Sequence, residues 1–132
     1  MEKPHEFKLS RSQDERGLLT FINLPFPINR MYTISKNTNG LTRGHHAHKK
    51  LQQLIFCLQG SFTLTVKTPQ DSYSFEMTHE GNAVLIPAGY WRMLDQFKSE
   101  TICLVLASDL YKEEDYIRDF EDYAKWFESV NK

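Results

Sequence analysis

No run in this sequence approaches the roughly 18 apolar residues that a membrane-spanning helix needs, and the opening "MEKPHEFKLSRSQDERG" has no signal-peptide core. No membrane association is expected, and the cytoplasm is the expected compartment. Cysteine is scarce. Cys57 and Cys103 each sit inside an apolar, strand-like run, "LIFCL" and "TICLVL". That placement predicts reduced core thiols rather than a disulfide framework. An excess of charge is missing too, because 16 Lys and Arg against 17 Asp and Glu leave a net charge of −1. Without a chain-wide basic field, no nucleic-acid partner is expected, although a local basic pocket remains compatible with the total. Internal repeats, linkers and low-complexity tracts are absent, so residues 1–132 predict one domain.

What the chain has is aromatic and β-branched residues in short runs. Aromatics make up 13% of it, and the pattern favours strands. "EFKLS" and "LLTFINL" are early strand candidates, followed by the rigid corner "PFP". "RMYTIS" alternates, with Arg30, Tyr32 and Ile34 on one face. "GSFTLTVKT" alternates as Phe62, Leu64 and Val66 against Ser61, Thr63 and Thr65. "PQDS" reads as a turn and "YSFEM" as the returning strand. "NAVLIPAGYWRMLDQF" reads as two strands broken at Pro87–Gly89, and "TICLVLAS" as a central strand.

After Ser108 the period changes. Tyr116, Phe120, Tyr123 and Phe127 recur three or four apart, a helical spacing, and Glu113, Glu114 and Asp115 suit a helix N-terminus. The expected class is all-β: a double-sheet β-barrel over about residues 5–108, with a short C-terminal helical segment over about residues 110–130.

Two spaced motifs define the chemistry. From Gly40, five residues lead to His46, one to His48, four to Gln53 and six to Gly60. From Gly81, five residues lead to Pro87, one to Gly89 and two to Arg92. These spacings resemble the two cupin motifs, which implies a jelly-roll-related barrel with its site in the mouth. A metal-binding cupin places a Glu where this chain has Gln53 and a His where it has Arg92. An amide and a permanent cation are poor company for zinc or iron, so no metal is expected. The same residues suit an anionic substrate. Alternation along a strand points His46 and His48 the same way and His45 the other. His45, Lys49 and Lys50 are expected at the surface. Neutral imidazoles can act as bases near pH 7, and Arg92 offers a forked donor to phosphate or to a developing oxyanion. The set describes metal-free proton abstraction beside a carbonyl on a phosphorylated substrate, with Tyr32 a further candidate at the mouth.

"RGHHAHKK", Arg43 to Lys50, narrows this further. It resembles the signature of nucleotide-sugar 3,4-ketoisomerases acting on dTDP-4-keto-6-deoxyglucose. "DERGLLTFI", "PFPINRMYTI", "AGYWRML" and "LVLASDLYKEEDYIRDFEDY" extend the resemblance over residues 7–124. It implies a cofactor-independent, homodimeric enzyme of deoxysugar biosynthesis, with N-terminal strands crossing the interface. Its substrate would be a dTDP-linked keto-deoxysugar, whose keto group moves from C4 to C3. Carried over by position, His46 is the base at C3, His48 its partner, and Tyr32 a hydrogen-bond or proton donor. Arg43, Arg92 and Gln53 become substrate-binding candidates. A metal-free cupin epimerase and a silent sugar-binding cupin are the alternatives.

Overall fold

The computed structural model describes residues 2–37 and 40–132. Its strands form two five-stranded sheets and a separate hairpin. The first sheet orders β1 (His5–Phe7), β9 (Ala83–Ile86), β6 (Gln53–Gln59), β11 (Ile102–Ala107) and β4 (Arg30–Ser35). The second orders β12 (Tyr116–Ile117), β5 (Arg43–His48), β10 (Trp91–Asp95), β7 (Ser61–Lys67) and β8 (Ser72–Thr78). The hairpin pairs β2 (Ser10–Asp14) with β3 (Gly17–Phe21). This is the double-sheet cupin barrel that the alternating strands and the two motifs predict.

Alternation decides which side chains fill the barrel. Phe62, Leu64 and Val66 of β7 face Ile55 of β6 and Cys103 and Val105 of β11 in one buried cluster. Each such side chain contributes about 1.5–3 kcal/mol by leaving water. The two cysteines are free, as expected, and lie opposite each other in the β6–β11 ladder. Burial pushes the Cys103 thiol up to about 12, which leaves it unreactive.

Both outer faces are also covered. Phe26 lies against Leu54, Phe56 and Leu85 on the first sheet. On the second, α1 (Phe120–Val130) lays Tyr123 and Phe127 over Trp91 and Ala47. The Tyr123 hydroxyl donates to the carbonyl of Gly89 at 2.8 Å, which fastens the helix to the turn before β10.

The aromatic stripe belongs to a helix shorter than the expected 110–130 segment. Asp119 caps it by accepting from the amide of Asp122 at 3.0 Å. Glu113–Asp115 form a 3₁₀ turn instead of its first turn, and Tyr116–Ile117 are a strand. The cause is the open edge of β5: Tyr116 pairs with His48 and Ile117 with Ala47, which satisfies backbone groups that a helix would leave unpaired. Tyr116 therefore turns away from the stripe and joins the histidines. The hairpin strand "SRSQD" has no apolar alternation and gave no strand signal; all of β2 and β3 is exposed.

Candidate active site

The histidine strand carries a backbone feature that glycine alone accommodates easily. Gly44 has φ +77°, and a Cβ there would lie 2.8 Å from Leu94 Cδ1. The β5–β10 ladder shifts register nearby, between Arg92 and Leu94. Past this irregularity Arg92 pairs directly with His46. Sheet two thus supplies His46, His48 and Arg92, while sheet one supplies Tyr32 and Gln53 across the barrel.

Arg92 is the hub. It is 2% exposed, yet it has no carboxylate partner among the described residues. Its Nε donates to His46 Nε2 at 3.2 Å, and Nη2 donates to the Tyr32 hydroxyl at 3.0 Å. Nη1 donates to Gln53 Oε1 in a short contact, and Gln53 Nε2 donates to the Tyr32 hydroxyl at 3.1 Å. A guanidinium buried among neutral acceptors is costly unless an anion arrives to meet it. Of the three predicted substrate-binding residues, Arg43, Arg92 and Gln53, it is Gln53 that stands back. At 1% exposure, with both ends of its amide engaged, it braces Arg92 and Tyr32 instead of lining the mouth.

His46 and His48 share a face as alternation requires, with ring centroids 4.9 Å apart at 86°. They are not equivalent. His46 reaches an open cavity of about 390 Å³. His48 is 5% exposed and does not line it. Burial first, then Arg92, His48, Arg118 and Arg30, holds the His46 imidazolium pKa down at about 2. Burial followed by Arg92, Arg30 and Arg118 holds His48 at about 3. Both rings are therefore neutral near pH 7. The Arg92 donation to His46 Nε2 places the ring hydrogen on Nδ1.

Neither nitrogen of His48 has a hydrogen-bond partner among the described residues. Leaving such a group unsatisfied typically costs about 1–3 kcal/mol.

The cavity is lined by Arg30, Arg43, Arg92 and Arg118 together with Tyr32, Tyr111 and Tyr116, and by no carboxylate among the described residues. Arg30 Nη2 donates to the Tyr116 hydroxyl at 3.1 Å, and the Arg118 guanidinium sits 4.3 Å over the Tyr116 ring. Glu113 fixes Arg118 from outside through contacts of 2.8 and 3.0 Å. Arg43 is exposed at the rim. His45, Lys49 and Lys50 are exposed, as expected.

The donor set does not fit the divalent metal that many cupins hold. The His46 lone pair is met by a cation's N–H, and no three His, Cys, Asp or Glu side chains converge among the described residues.

Sequence reasoning missed Asp115, Tyr116, Arg30 and Arg118. Periodicity and charge place Tyr116 and Asp115 on a helix, and the signal that moves them is the pairing demand of the β5 edge, which periodicity does not register. Arg30 shares the inward face of β4 with Tyr32, and that alternation could have found it.

A family model described as "FdtA: WxcM-like, C-terminal" matches residues 2–128. The chain belongs to the FdtA family. One relative, a TDP-4-oxo-6-deoxy-alpha-D-glucose-3,4-oxoisomerase of Aneurinibacillus thermoaerophilus, is 34% identical over 122 residues, 89% of this chain and 88% of that one. Among solved structures, the 3,4-ketoisomerase QdtA of Thermoanaerobacterium thermosaccharolyticum superposes with a TM-score of 0.92 at 32% identity, covering 99% of this chain and 98% of the other. That crystal holds a histidine-to-asparagine variant with TDP-4-keto-6-deoxyglucose. A 3,4-ketoisomerase of Helicobacter canadensis gives a TM-score of 0.91 at 28% identity, covering 97% and 99%.

Proposed function

We propose that this FdtA-family chain is a sugar-nucleotide 3,4-ketoisomerase, converting dTDP-4-keto-6-deoxyglucose to a dTDP-3-keto-6-deoxyhexose without metal or cofactor. One observation carries the reading: a neutral imidazole, His46, opens onto a cavity lined by four arginines, one of them the buried Arg92, which has no carboxylate partner among the described residues. That is a base beside an electrophile in a field built for a diphosphate.

The reaction follows from those parts. The C4 carbonyl acidifies the C3 proton, which His46 removes as the C4 oxygen takes on charge. Arg92 and Tyr32 stabilise the enediolate. Protonation at C4 and passage of the C3 hydroxyl proton to the C4 oxygen then leave a ketone at C3 and a hydroxyl at C4, with no net change in composition. His46 is the base because it alone of the pair reaches the cavity; His48 handles the proton behind it.

Arg92 must release the Nε2 lone pair before His46 can accept a proton. A bound diphosphate also offsets the guanidinium charges that depress both imidazoles, moving the base toward the useful range. Arg43 and Arg118 are placed to hold the diphosphate, while Gln53 keeps Arg92 and Tyr32 in register.

A homodimer is part of the same reading. Leu18, Leu19 and Phe21 on the hairpin, with Leu24 and Met31, are between 49% and 65% exposed, apolar side chains suited to cover by a second copy. No helix among the described residues is long and apolar enough to cross a membrane.

The test is to incubate the pure protein with dTDP-4-keto-6-deoxyglucose and follow the ring by NMR. The C4 ketone should disappear as a C3 ketone forms. A protein that binds the nucleotide sugar and leaves it unchanged would be a silent cupin instead.

A further inference from the structure

We propose that Asp115 is a positioning residue for His48, fixing the hydrogen on Nδ1 and stabilising the ring when it receives a proton during turnover. This rests on the ketoisomerase reading for its role in catalysis, though not for the contact itself.

Two independent observations meet at this point. His48 is 95% removed from solvent, and neither ring nitrogen has a hydrogen bond among the described residues. Asp115 Oδ2 lies 3.4 Å from Nδ1, within ion-pair range, without the geometry of a hydrogen bond, and its side chain is 12% exposed. A small rotation of either side chain would close that gap.

Asp115 is held in place by three hydrogen bonds, two of them to its carboxylate. Its oxygens accept the amides of Lys50 at 2.8 Å and Leu51 at 3.2 Å, and its own carbonyl accepts the amide of Lys49 at 3.0 Å. Asp115 thus fastens the 3₁₀ turn to the end of the histidine strand and delivers a rigid anion to the far side of the ring.

Every other group facing His48 opposes its protonation or is neutral. Arg92 from β10, Arg30 from β4 and Arg118 beyond β12 repel an imidazolium. Tyr116 and His46 pack against its ring, with centroids at 4.3 and 4.9 Å. In the free protein burial, and after it the guanidinium groups, keep the ring uncharged, so it has no need of the carboxylate. Once an anionic substrate offsets them and a proton arrives, Asp115 is the counter-charge already within reach. With Nδ1 committed to Asp115, Nε2 is the nitrogen left for proton transfer.

The experiment uses ¹⁵N-labelled full-length protein with and without dTDP, as wild type, Asp115→Asn and Asp115→Glu. Asparagine keeps an oxygen for the backbone amides but removes the charge. In wild type with dTDP, His48 should be the Nδ1–H tautomer, and its protonation midpoint should fall by at least one pH unit in Asp115→Asn. With dTDP-4-keto-6-deoxyglucose, kcat should fall ten- to a hundredfold in Asp115→Asn while KM changes less than threefold. Asp115→Glu should recover part of kcat. The wild-type tautomer needs no variant, so poor folding of either substitution leaves it decisive. An Nε2–H tautomer in wild type, or an unmoved midpoint in a folded Asp115→Asn, overturns the proposal and leaves Asp115 a loop clamp. Lack of turnover in wild type would count against the ketoisomerase reading while the tautomer and midpoint still judge the contact.

Discussion

Arg92 donates its Nε hydrogen to Nε2 of His46 at 3.2 Å, so a buried cation is aimed at the lone pair of the candidate base. The contact adds to burial in keeping His46 neutral, and it makes Arg92 a group that must act twice, first on the imidazole and then on the developing oxyanion. Arg92→Met should lower kcat by about 10²–10³, the usual scale for losing one preorganised donor to an oxyanion. It should also raise the His46 midpoint, because a neighbouring positive charge is gone. Arg92→Lys should not restore activity, since a single ammonium cannot serve His46, Tyr32 and Gln53 together. Steady-state kinetics with histidine-resolved NMR titration checks both outcomes.

The unequal exposure of the two histidines predicts unequal variants. His46→Asn should lose about 10²–10⁴ in kcat, the range for removing a general base, and still bind dTDP. His48→Asn should retain more activity, because the ring behind the cavity touches no substrate. Calorimetric dTDP binding beside turnover separates the two effects.

Acid should destabilise the fold through these same rings. Their folded pKa values, about 2 and about 3, lie below the unfolded value near 6.5. Above pH 6.5 both states are neutral and the pair contributes nothing to the pH dependence. As pH falls below that, the unfolded chain takes up protons the folded one refuses, so stability declines by at most about 1.4 kcal/mol per pH unit for each ring. Tm should therefore drop between pH 6.5 and 4.5, and a His46→Asn, His48→Asn double variant should drop less. Adding dTDP to wild type should raise both midpoints.

Much of this was legible in the chain because strand alternation and motif spacing are local. His46 and His48 at i and i+2, Gln53 and Arg92 at motif distances, and Phe62, Leu64 and Val66 on one face all follow from period two. The helix after residue 119 was legible for its stripe but not for its start. Glu113 to Asp115 carry the charge of an N-terminus, and only the unpaired edge of β5 draws Tyr116 into a strand. Asp115 was hidden for the same reason, since its value depends on where His48 ends up. The buried standing of Gln53 follows from its engagement with Arg92 and Tyr32 across the barrel, which motif spacing does not encode.

Gly44 ties backbone to site. Gly44→Ala would force a left-handed φ on alanine and press Cβ against Leu94, and should cost about 2–4 kcal/mol. Denaturant unfolding checks the stability. Activity should fall as well, because the displaced strand carries His46.

Arg43 at the exposed rim should act on binding more than on chemistry. Arg43→Ala should raise KM several-fold with kcat within about threefold, and the effect should shrink as salt rises. A kcat loss at unchanged KM would move Arg43 into the chemical step.

The most direct test of the account is the fate of the ring protons in D₂O. With wild-type protein and dTDP-4-keto-6-deoxyglucose, NMR should show the ketone at C3 and solvent deuterium entering at C4. A ketone that stays at C4, with deuterium at C3 or C5 or with no exchange at all, would contradict it.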